Sequence, residues 1–287
     1  MKVKNLKISI VIPVYNEGDS LSSCLTAIEN LNTKPYEVIV VDNNSTDHTQ
    51  IVARSHAGVT LVSEKKQGVV HARTRGFNTA KGDIIARIDA DTVLPAEWLD
   101  KVSQVFENDK STVAVSGRAD YYEFVLKDIA NEIDRWSRNY LANRFGDRMF
   151  LHGANMAMRK SAWNKVKKDL CPCDGLHEDL DLAIHIQEHG LKVVYEENLV
   201  AGMSPRRIAN GLKQFTNYCL ASPRTYKAHS IKNRRYMYVI IFIVMSLYPF
   251  GHLAYASFDP KQGTFSLKYL FSSKLRKSRT SPTINVA

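Results

Sequence analysis

Short apolar segments alternate with amphipathic segments over residues 8–88, and this alternation restricts the fold more than any other feature of the sequence. The apolar runs have the length and composition of buried strands and lie at residues 8–14, 37–41, 59–63 and 83–88. The segments between them have the apolar spacing of helices, as at Leu21, Leu25 and Ile28. Strands that alternate with helices are typical of a parallel sheet covered by helices. We therefore expect an α/β domain with a Rossmann-like, mostly parallel sheet.

Acidic side chains follow three of these predicted strands at the point where each strand ends. Glu17 follows the first, Asp42 the second, and Asp89 and Asp91 the fourth. The carboxyl ends of parallel strands border the ligand crevice of an open α/β sheet, so we expect these acids to share one edge. Carboxylates separated by one residue, as in Asp89 and Asp91, suit a hard cation such as Mg²⁺ or Mn²⁺. The alternative is a surface turn with two solvated acids.

The pattern of elements becomes less regular in the second half of the chain. Helices are predicted at residues 98–106, 125–145 and 179–189, and extended segments at residues 112–117, 155–159 and 192–195. A chain of 287 residues with this order of elements suits one large α/β domain with additions.

Three common nucleotide-binding and metal-binding motifs are absent from the sequence. There is no Gly-x-x-x-x-Gly-Lys loop, no Gly-x-Gly-x-x-Gly after the first predicted strand, and no His-Glu-x-x-His. These absences disfavour a P-loop nucleotidase, a dinucleotide oxidoreductase and a zincin. The basic part of the chain contains no recognised nucleic-acid-binding module, so we do not expect nucleic acid as a partner.

Positive charge is concentrated in the C-terminal part of the chain. Residues 204–287 carry 14 Lys and Arg against a single acid, Asp259. Within them, residues 236–258 contain no charged residue over 23 positions, which is long enough to reach across a bilayer. Pro249 and Gly251 interrupt this apolar segment. We predict a membrane-seated segment whose basic flanks meet anionic headgroups at the cytoplasmic face of a membrane. A buried core helix or a dimer helix is the alternative.

The four cysteines are scattered along the sequence, at Cys24, Cys171, Cys173 and Cys219. Free thiols in a reducing compartment are the default interpretation of such a distribution. Cys171 and Cys173 do not have the Cys-x-x-Cys spacing, and a zinc site would need two further well-spaced ligands.

Five segments occur in an order that is characteristic of one enzyme family. They read Val-Ile-Pro-Val-Tyr-Asn-Glu at 11–17, Val-Val-Asp-Asn-Asn-Ser-Thr-Asp at 40–47, Gly-Asp-Ile-Ile at 82–85, Asp-Ala-Asp at 89–91 and His-Glu-Asp at 177–179. With these segments the chain resembles a family 2 glycosyltransferase of the GT-A fold, from about residue 8 to about residue 208. The resemblance implies an inverting transferase that takes a sugar from a nucleotide-diphosphate donor with a divalent metal, Mg²⁺ or Mn²⁺.

The resemblance also implies roles for residues in the first half of the chain. Those expected at the nucleotide are Pro13, Tyr15, Glu17, Asp42, Arg73 and Asp89. Among them, Asp42 would face the base and Arg73 would lie beside the diphosphate, while Asp91 would bind the metal. From the residues alone, Glu17 and Asp42 serve equally well as acids at helix N-termini, and Arg73 as a partner in a surface ion pair.

The resemblance also implies a separate carboxylate that activates the acceptor hydroxyl. Asp179 matches the base that takes the proton from the acceptor hydroxyl, and its neighbour Glu178 is the runner-up and a candidate contact to the sugars. Taken without the upstream segments, Glu178, Asp179 and Asp181 are the acids of a charged helix N-terminus.

Further contacts are implied in the second half of the chain. Gly153 and Asn155 correspond to the stretch under the donor sugar and the acceptor. His177, Arg206 and Arg207 are candidates for phosphate contact. The alternatives are a hydrogen-bonded loop histidine for His177, and tail or membrane-surface charge for the two arginines.

The sequence favours transfer of one sugar at a time. It lacks the Gln-x-x-Arg-Trp sequence that processive synthases of the family carry, and it predicts no array of transmembrane spans. We predict a non-processive transferase that acts on a lipid-linked or surface-glycan hydroxyl. The alternatives are a polyprenyl-phosphate sugar synthase and, from a different class, a non-catalytic nucleotide-sugar-binding or membrane scaffold protein. The expected divisions are a nucleotide-sugar-binding half at 1–117, an acceptor-binding half at 118–208, a basic linker or helix at 209–235, the apolar segment at 236–258 and a basic tail at 259–287.

Overall fold

The computed structural model describes residues 6–145, 150–171, 173, 175–259 and 264–266. The strands are β1 (Ile8–Val14), β2 (Glu37–Asp42), β3 (Val59–Ser63), β4 (Ile84–Arg87), β5 (Thr112–Tyr121), β6 (Met156–Arg159), β7 (Lys192–Met203), β8 (Phe258–Asp259) and β9 (Thr264–Phe265). The helices are α1 (Gly18–Glu29), α2 (Thr49–Ser55), α3 (Val69–Thr79), α4 (Trp98–Asn108), α5 (Lys127–Phe145), α6 (Lys160–Val166), α7 (Glu178–Glu188), α8 (Leu212–Ala228) and α9 (Arg235–Ser257), with two 3-10 helices at Arg206–Asn210 and Lys232–Arg234. The predicted basic tail, at 259–287, lies almost entirely outside the described residues.

Seven strands form one sheet in the order β3-β2-β1-β4-β6-β5-β7. The pairs β1–β2, β2–β3, β1–β4 and β5–β7 are parallel, whereas β6 runs antiparallel to both β4 and β5. The prediction of a mostly parallel sheet flanked by helices is therefore confirmed. Because β1 lies between β2 and β4, the acids that follow these three strands share one edge of the sheet.

The central strand β1 is buried on both faces. Ile10 and Ile12 lie in the core on one face, together with Leu21 of α1. Val11 lies in the core on the other face, together with Phe77 of α3. Successive side chains of a strand point to opposite faces, so a strand covered on both sides is apolar throughout. Apart from Ser9, β1 is apolar along its whole length, and this packing explains why the run predicted the strand correctly.

The pairing of β5 with β7 requires a glycine at residue 117. A Cβ atom built on Gly117 would lie 1.8 Å from the carbonyl oxygen of Leu199. The register of the ladder shifts at this point, between Gly117 and Arg118, and the pairing then continues to the ends of both strands. Both strands are consequently longer than the sequence predicted.

We expect the substitution Gly117→Ala to lower the free energy of unfolding by about 1–3 kcal/mol, because the backbone of β7 blocks the new methyl group. Gly251→Ala is the matched control, since a Cβ there has its nearest neighbours at 3.9 and 4.0 Å and alanine favours helix. Urea denaturation gives the free energy of unfolding of both variants and of the parent protein. Equal stability of Gly117→Ala and the parent protein would contradict the close approach of β5 and β7.

One helix, α6, lies where the sequence predicted none, and another, α8, lies where the sequence left a linker and a helix open. α6 has seven residues, which is too short for a clear helical period. α8 falls in the segment that the sequence left as a basic linker or helix, and it contains Pro223 in its interior. Proline disfavours a helix interior, which obscured this element in the sequence.

The apolar segment forms one long helix, α9, that leaves much of its surface exposed. The stretch Lys232–Ser257 is long and apolar enough to cross a membrane, and 11% of its most apolar window is buried. Phe242 and Phe250 are 73% and 68% exposed. The described chain therefore does not enclose α9 as a core helix. Nδ1 of His252 lies 2.9 Å from the carbonyl oxygen of Ile208, which connects α9 to the 3-10 helix after β7.

Candidate active site

A buried ion-pair network joins α3, β4 and α7. Oε2 of Glu178 lies 2.6 Å from Nη1 of Arg73, and its Oε1 lies 2.5 Å from Nη1 of Arg87. Nη2 of Arg87 also lies 3.1 Å from Oδ1 of Asp89. Opposite charges in hydrogen-bonding contact offset the cost of taking these groups out of water. The network thus fixes the first turn of α7 against the end of β4.

Arg73 is enclosed in this network. The residue is 1% exposed, and its Nη1 also donates to the carbonyl oxygen of Glu178 at 2.6 Å. The alternative of a surface ion pair is therefore wrong for Arg73, because both partners are buried. For Arg87, burial opposes the positive charge, but the nearby carboxylates of Glu178 and Asp89 raise the pKa above its usual range.

Asp179 lies beside the network, at the start of α7. Its Oδ2 accepts a hydrogen bond from the backbone N–H of Gly153 at 2.9 Å, and its Oδ1 accepts one from Leu180 at 2.8 Å. Residue 153 has to be glycine, since a Cβ would lie 1.9 Å from Nη1 of Arg87. Burial favours the neutral acid, but the electrostatic influence of His177 and Arg87 outweighs it and holds the pKa of Asp179 below its usual value. Asp179 is therefore ionised at neutral pH.

Arg206 connects two of the predicted site acids. Its Nη1 and Nη2 lie 2.6 and 2.5 Å from the two carboxylate oxygens of Glu17, and its Nε lies 2.9 Å from Oδ2 of Asp91. Glu17 follows β1 and Asp91 follows β4, so the structure brings these residues together at the shared edge as predicted. Burial raises the pKa of Asp91 to about 6, with Arg206 opposing this rise and Asp89 adding to it.

The segment that carries Asp89 and Asp91 forms a turn after β4. The backbone N–H of Thr92 donates to the carbonyl oxygen of Asp89 at 3.0 Å, and the hydroxyl of Tyr122 donates to the carbonyl oxygen of Asp91. These bonds use backbone oxygens, whereas the carboxylates of Asp89 and Asp91 pair with Arg87 and Arg206. Because carboxylate oxygens suit hard cations, Asp89 and Asp91 fit a divalent metal ion, which would take the place that the guanidinium of Arg206 now has against Asp91.

Asp42 is largely occupied by protein groups. Its Oδ1 accepts a hydrogen bond from the backbone N–H of Ser45 at 3.2 Å, and its Oδ2 accepts one from Nε2 of Gln50 at 2.7 Å. These bonds hold the loop between β2 and α2. Pro13 is half-buried near the end of β1, and Tyr15 is exposed just beyond it.

Asn155 lies in the core of the second half of the sheet. Its Nδ2 donates to the carbonyl oxygens of Leu199 at 2.8 Å and Arg118 at 3.0 Å, and its Oδ1 accepts from the indole of Trp98 at 3.0 Å. Because both Nδ2 protons are used and the residue is fully buried, we assign it a role in joining β5 to β7 rather than the sugar contact expected from the sequence.

His177 and Arg207 both contact Tyr218 of α8. Nε2 of His177 lies 3.1 Å from the carbonyl oxygen of Tyr218, and the two rings meet edge to face. The guanidinium of Arg207 lies 4.2 Å from the centre of the Tyr218 ring. In this structure His177 is therefore a hydrogen-bonded loop histidine, the alternative to a phosphate contact. Tyr218, which contacts both His177 and Arg207, was not indicated by any sequence pattern.

Arg87 is the residue that the sequence reasoning missed. It was visible only as the single polar interruption in the fourth predicted strand. A lone charge in a central buried strand needs a buried partner, and this requirement was the available signal.

Comparisons with known proteins agree with this fold. A family model described as glycosyl transferase family 2 matches residues 9–167. Glycosyltransferase AglE of Haloferax volcanii is 36% identical over 102 residues, which are 33% of this chain and 33% of that protein. Dolichol-phosphate mannosyltransferase of Pyrococcus furiosus is 33% identical over 118 residues, which are 39% of this chain and 33% of that protein. The matched stretch thus spans about a third of each of these relatives.

A solved structure extends the likeness to nearly the whole chain. The mannosyltransferase PcManGT from Pyrobaculum calidifontis, in complex with GDP-Man and Mn²⁺, superposes with a TM-score of 0.58 at 20% identity, over 97% of this chain and 84% of that one. The sheet topology and this superposition define the fold as GT-A. The family model covers more than half of the chain, and the chain therefore belongs to glycosyl transferase family 2.

Proposed function

We propose that the chain transfers one sugar, with inversion, from a nucleotide-diphosphate sugar to a hydroxyl of a lipid-linked or surface-glycan acceptor. The observation that carries this proposal is the presence of two separate acidic groups at one edge of the sheet. Asp89 and Asp91 belong to the first group, and Asp179 forms the second. Arg87 lies between them, because it contacts Asp89 directly and packs against Gly153, which donates to Asp179.

The first acidic group would receive the donor. Its nucleoside side comprises Pro13, Tyr15, Glu17 and Asp42. We assign Asp91, with Asp89 beside it, to a divalent cation, Mg²⁺ or Mn²⁺. Such a cation, when bound, supplies positive charge to the leaving diphosphate. Arg206 and Arg207 add positive charge at the same edge, and Arg73 acts through Glu178 by holding the start of α7.

Asp179 would serve as the general base. It takes the proton of the acceptor hydroxyl as the oxygen attacks the anomeric carbon. Two features keep it ionised before the acceptor binds: the pKa of Asp179 is held low, and the N-terminus of α7 stabilises its charge. Glu178 is unsuited to the same role, because both of its carboxylate oxygens are paired with arginines.

A polyprenyl-phosphate sugar synthase is the second candidate. It is favoured by the similarity to dolichol-phosphate mannosyltransferase of Pyrococcus furiosus and by the exposed apolar surface of α9. A phosphate oxygen is already an anion, so such an acceptor depends less on a base than a hydroxyl does.

Release of nucleotide from a donor panel tests the enzymatic proposal. The purified full-length chain is incubated with UDP-, GDP- and dTDP-sugars, with Mg²⁺ or Mn²⁺, in the presence and absence of a membrane extract. We expect metal-dependent release from one donor, increased by the extract. A complete lack of release from every donor would overturn the proposal in favour of a non-catalytic binding or scaffold protein.

We expect Asp91→Asn to weaken donor binding in the presence of Mn²⁺ by at least about tenfold, since an amide is a poor ligand for a hard cation. Calorimetric titration with and without Mn²⁺ measures the effect. Asp128→Asn, at an exposed position in the first turn of α5, is the matched control and should bind like the parent. An unchanged affinity in Asp91→Asn would remove Asp91 from the metal site.

We further propose that α9 seats the enzyme on the cytoplasmic face of a membrane, with anionic lipid as the partner surface. Phe242→Asp and Phe250→Asp should each reduce co-sedimentation with phosphatidylglycerol vesicles by about tenfold or more, because each removes a large apolar side chain from the lipid contact. Ile51→Asp is the control, since Ile51 is 71% exposed on α2, a helix of the nucleotide-binding half. Sedimentation equal to that of the control would mean that α9 is not the anchor.

A further inference from the structure

We propose that Cys171, Asp181, His185 and His229 form a second metal site, which takes a divalent ion with affinity for nitrogen and sulfur ligands, Zn²⁺ foremost. One ligand atom from each of these residues lies within 4.8 Å of the others. The residues come from three separate segments: the loop after α6, the helix α7, and the residue that ends α8. The site shares no residue with the acidic edge of the sheet and does not rest on the proposed function.

Asp181 is at the centre of the cluster. It is 1% exposed, and its Oδ1 lies 2.8 Å from Nε2 of His229 and 3.6 Å from Nε2 of His185. Its Oδ2 accepts a hydrogen bond from the backbone N–H of Cys171 at 3.1 Å, which holds the cysteine against the carboxylate. Tetrahedral zinc places its ligand atoms about 3.3–3.8 Å apart. Of the two separations, 3.6 Å lies within that range and 2.8 Å below it, and all four ligand atoms lie within 4.8 Å of one another, so side-chain rotations suffice to bind an ion.

One nitrogen in the cluster is buried without a hydrogen bond. Nε2 of His185 is shielded from solvent, and its contact with Oδ1 of Asp181, at 3.6 Å, is too long for a hydrogen bond. A buried polar atom without a partner is unfavourable, and a bound ion would satisfy it. The position of His185, four residues after Asp181 on α7, brings both ligands to the same face of the helix.

A second carboxylate lies beside both imidazole rings. The oxygens of Glu188 lie 3.2 Å from Nδ1 of His185 and 3.8 Å from Nδ1 of His229. Metal-binding histidines commonly donate their second ring N–H to a carboxylate, which fixes the ring and leaves the other nitrogen to the metal. In this cluster the Nε2 atoms of His185 and His229 face Asp181 and are available to bind the metal ion.

The composition of the cluster favours zinc over the hard cations expected at Asp91. A thiolate, two imidazoles and one carboxylate provide four protein ligands, which is the number found in closed structural zinc sites. Mg²⁺ and Mn²⁺ prefer sites made of oxygen alone. Because Asp181 lies two residues after Asp179, an ion bound here would tie the start of α7 to the end of α8 and so position the proposed base.

Cobalt substitution tests the site with a readout that does not involve sugar transfer. The full-length chain is freed of metal with a chelator and titrated with Co²⁺ and with Zn²⁺. We expect about one tightly held equivalent of zinc, and a thiolate-to-cobalt charge-transfer band that Cys171→Ser abolishes. His229→Gln should weaken Zn²⁺ binding by at least about tenfold and abolish the rise in thermal midpoint that Zn²⁺ gives the parent.

Two control variants separate this site from other thiols and from the donor metal. Cys219→Ser, in α8, and Asp91→Asn should both retain the cobalt band. Circular dichroism of each variant establishes that it is folded, and His185→Gln provides an independent ligand change. If the parent holds no zinc and gives no thiolate band, the cluster is a metal-free network of ion pairs. A band that persists in Cys171→Ser would also overturn the proposal.

Discussion

Asp179→Asn should reduce sugar transfer to a hydroxyl acceptor by about 10²- to 10⁴-fold, since this is the usual contribution of a positioned general base. The asparagine retains the shape of the side chain but cannot accept the proton. Donor affinity should stay close to that of the parent, because the donor contacts are assigned to the other acidic group. Initial rates with a saturating donor, together with calorimetric donor titration, measure the two quantities separately.

The control for this variant is Asp169→Asn, which removes an exposed carboxylate that pairs with His189 at 2.7 Å. It should transfer sugar like the parent. A loss of less than about tenfold in Asp179→Asn, with donor binding intact, would contradict the role of Asp179 as base for a hydroxyl and favour the polyprenyl-phosphate acceptor instead.

Glu178→Gln should lower the free energy of unfolding by about 3–5 kcal/mol, because it leaves Arg73 buried without its paired carboxylate and Arg87 with Asp89 alone. The change preserves side-chain volume, so the effect reports the lost charge rather than a cavity. Urea denaturation, in mild detergent if α9 requires it, gives the free energy. If the variant is too unstable to purify, its soluble yield compared with that of the control gives the same ranking.

Glu97→Gln is the matched control for this charge change. Glu97 pairs with Lys101 at 3.0 Å on the surface of α4, and exposed pairs of this kind contribute less than about 1 kcal/mol. Similar stability of Glu178→Gln and Glu97→Gln would mean that the two buried arginines find other compensation. That outcome would contradict the fixing of α7 by the network.

The sequence predicted the first half of the fold well, because each of its elements is specified locally. β1 and β3 begin and end at the predicted residues. β1 is recognisable as a buried apolar run, and β3, the edge strand, as a short β-branched segment between a helix and a turn. The second half depends on distant contacts. β7 is extended by its pairing with β5, and β6 is antiparallel because it returns between β4 and β5. No local pattern encodes these pairings.

The candidate site likewise contains residues whose proximity was predictable from the sequence and residues whose proximity was not. The acids after β1 and β4 were predictable, because strand order alone brings them to one edge. The pairing of Glu178 with Arg73 and Arg87 was not, since its members are 105 and 91 positions apart in the chain. The cluster around Asp181 was hidden for the same reason, because its ligands come from three segments with no common motif.

The placement of Arg206 links two processes that are usually measured separately. This residue holds Glu17 and Asp91 from a short helix whose Ile208 carbonyl is bonded to His252 of α9. A donor and its metal, bound as we propose, would compete with the guanidinium of Arg206, whose backbone is attached to the apolar helix α9. Where two binding events act on one connected segment, each changes the free energy of the other by the same amount. Donor affinity measured in detergent and donor affinity measured on vesicles should accordingly differ, and the donor should change vesicle affinity by the same factor.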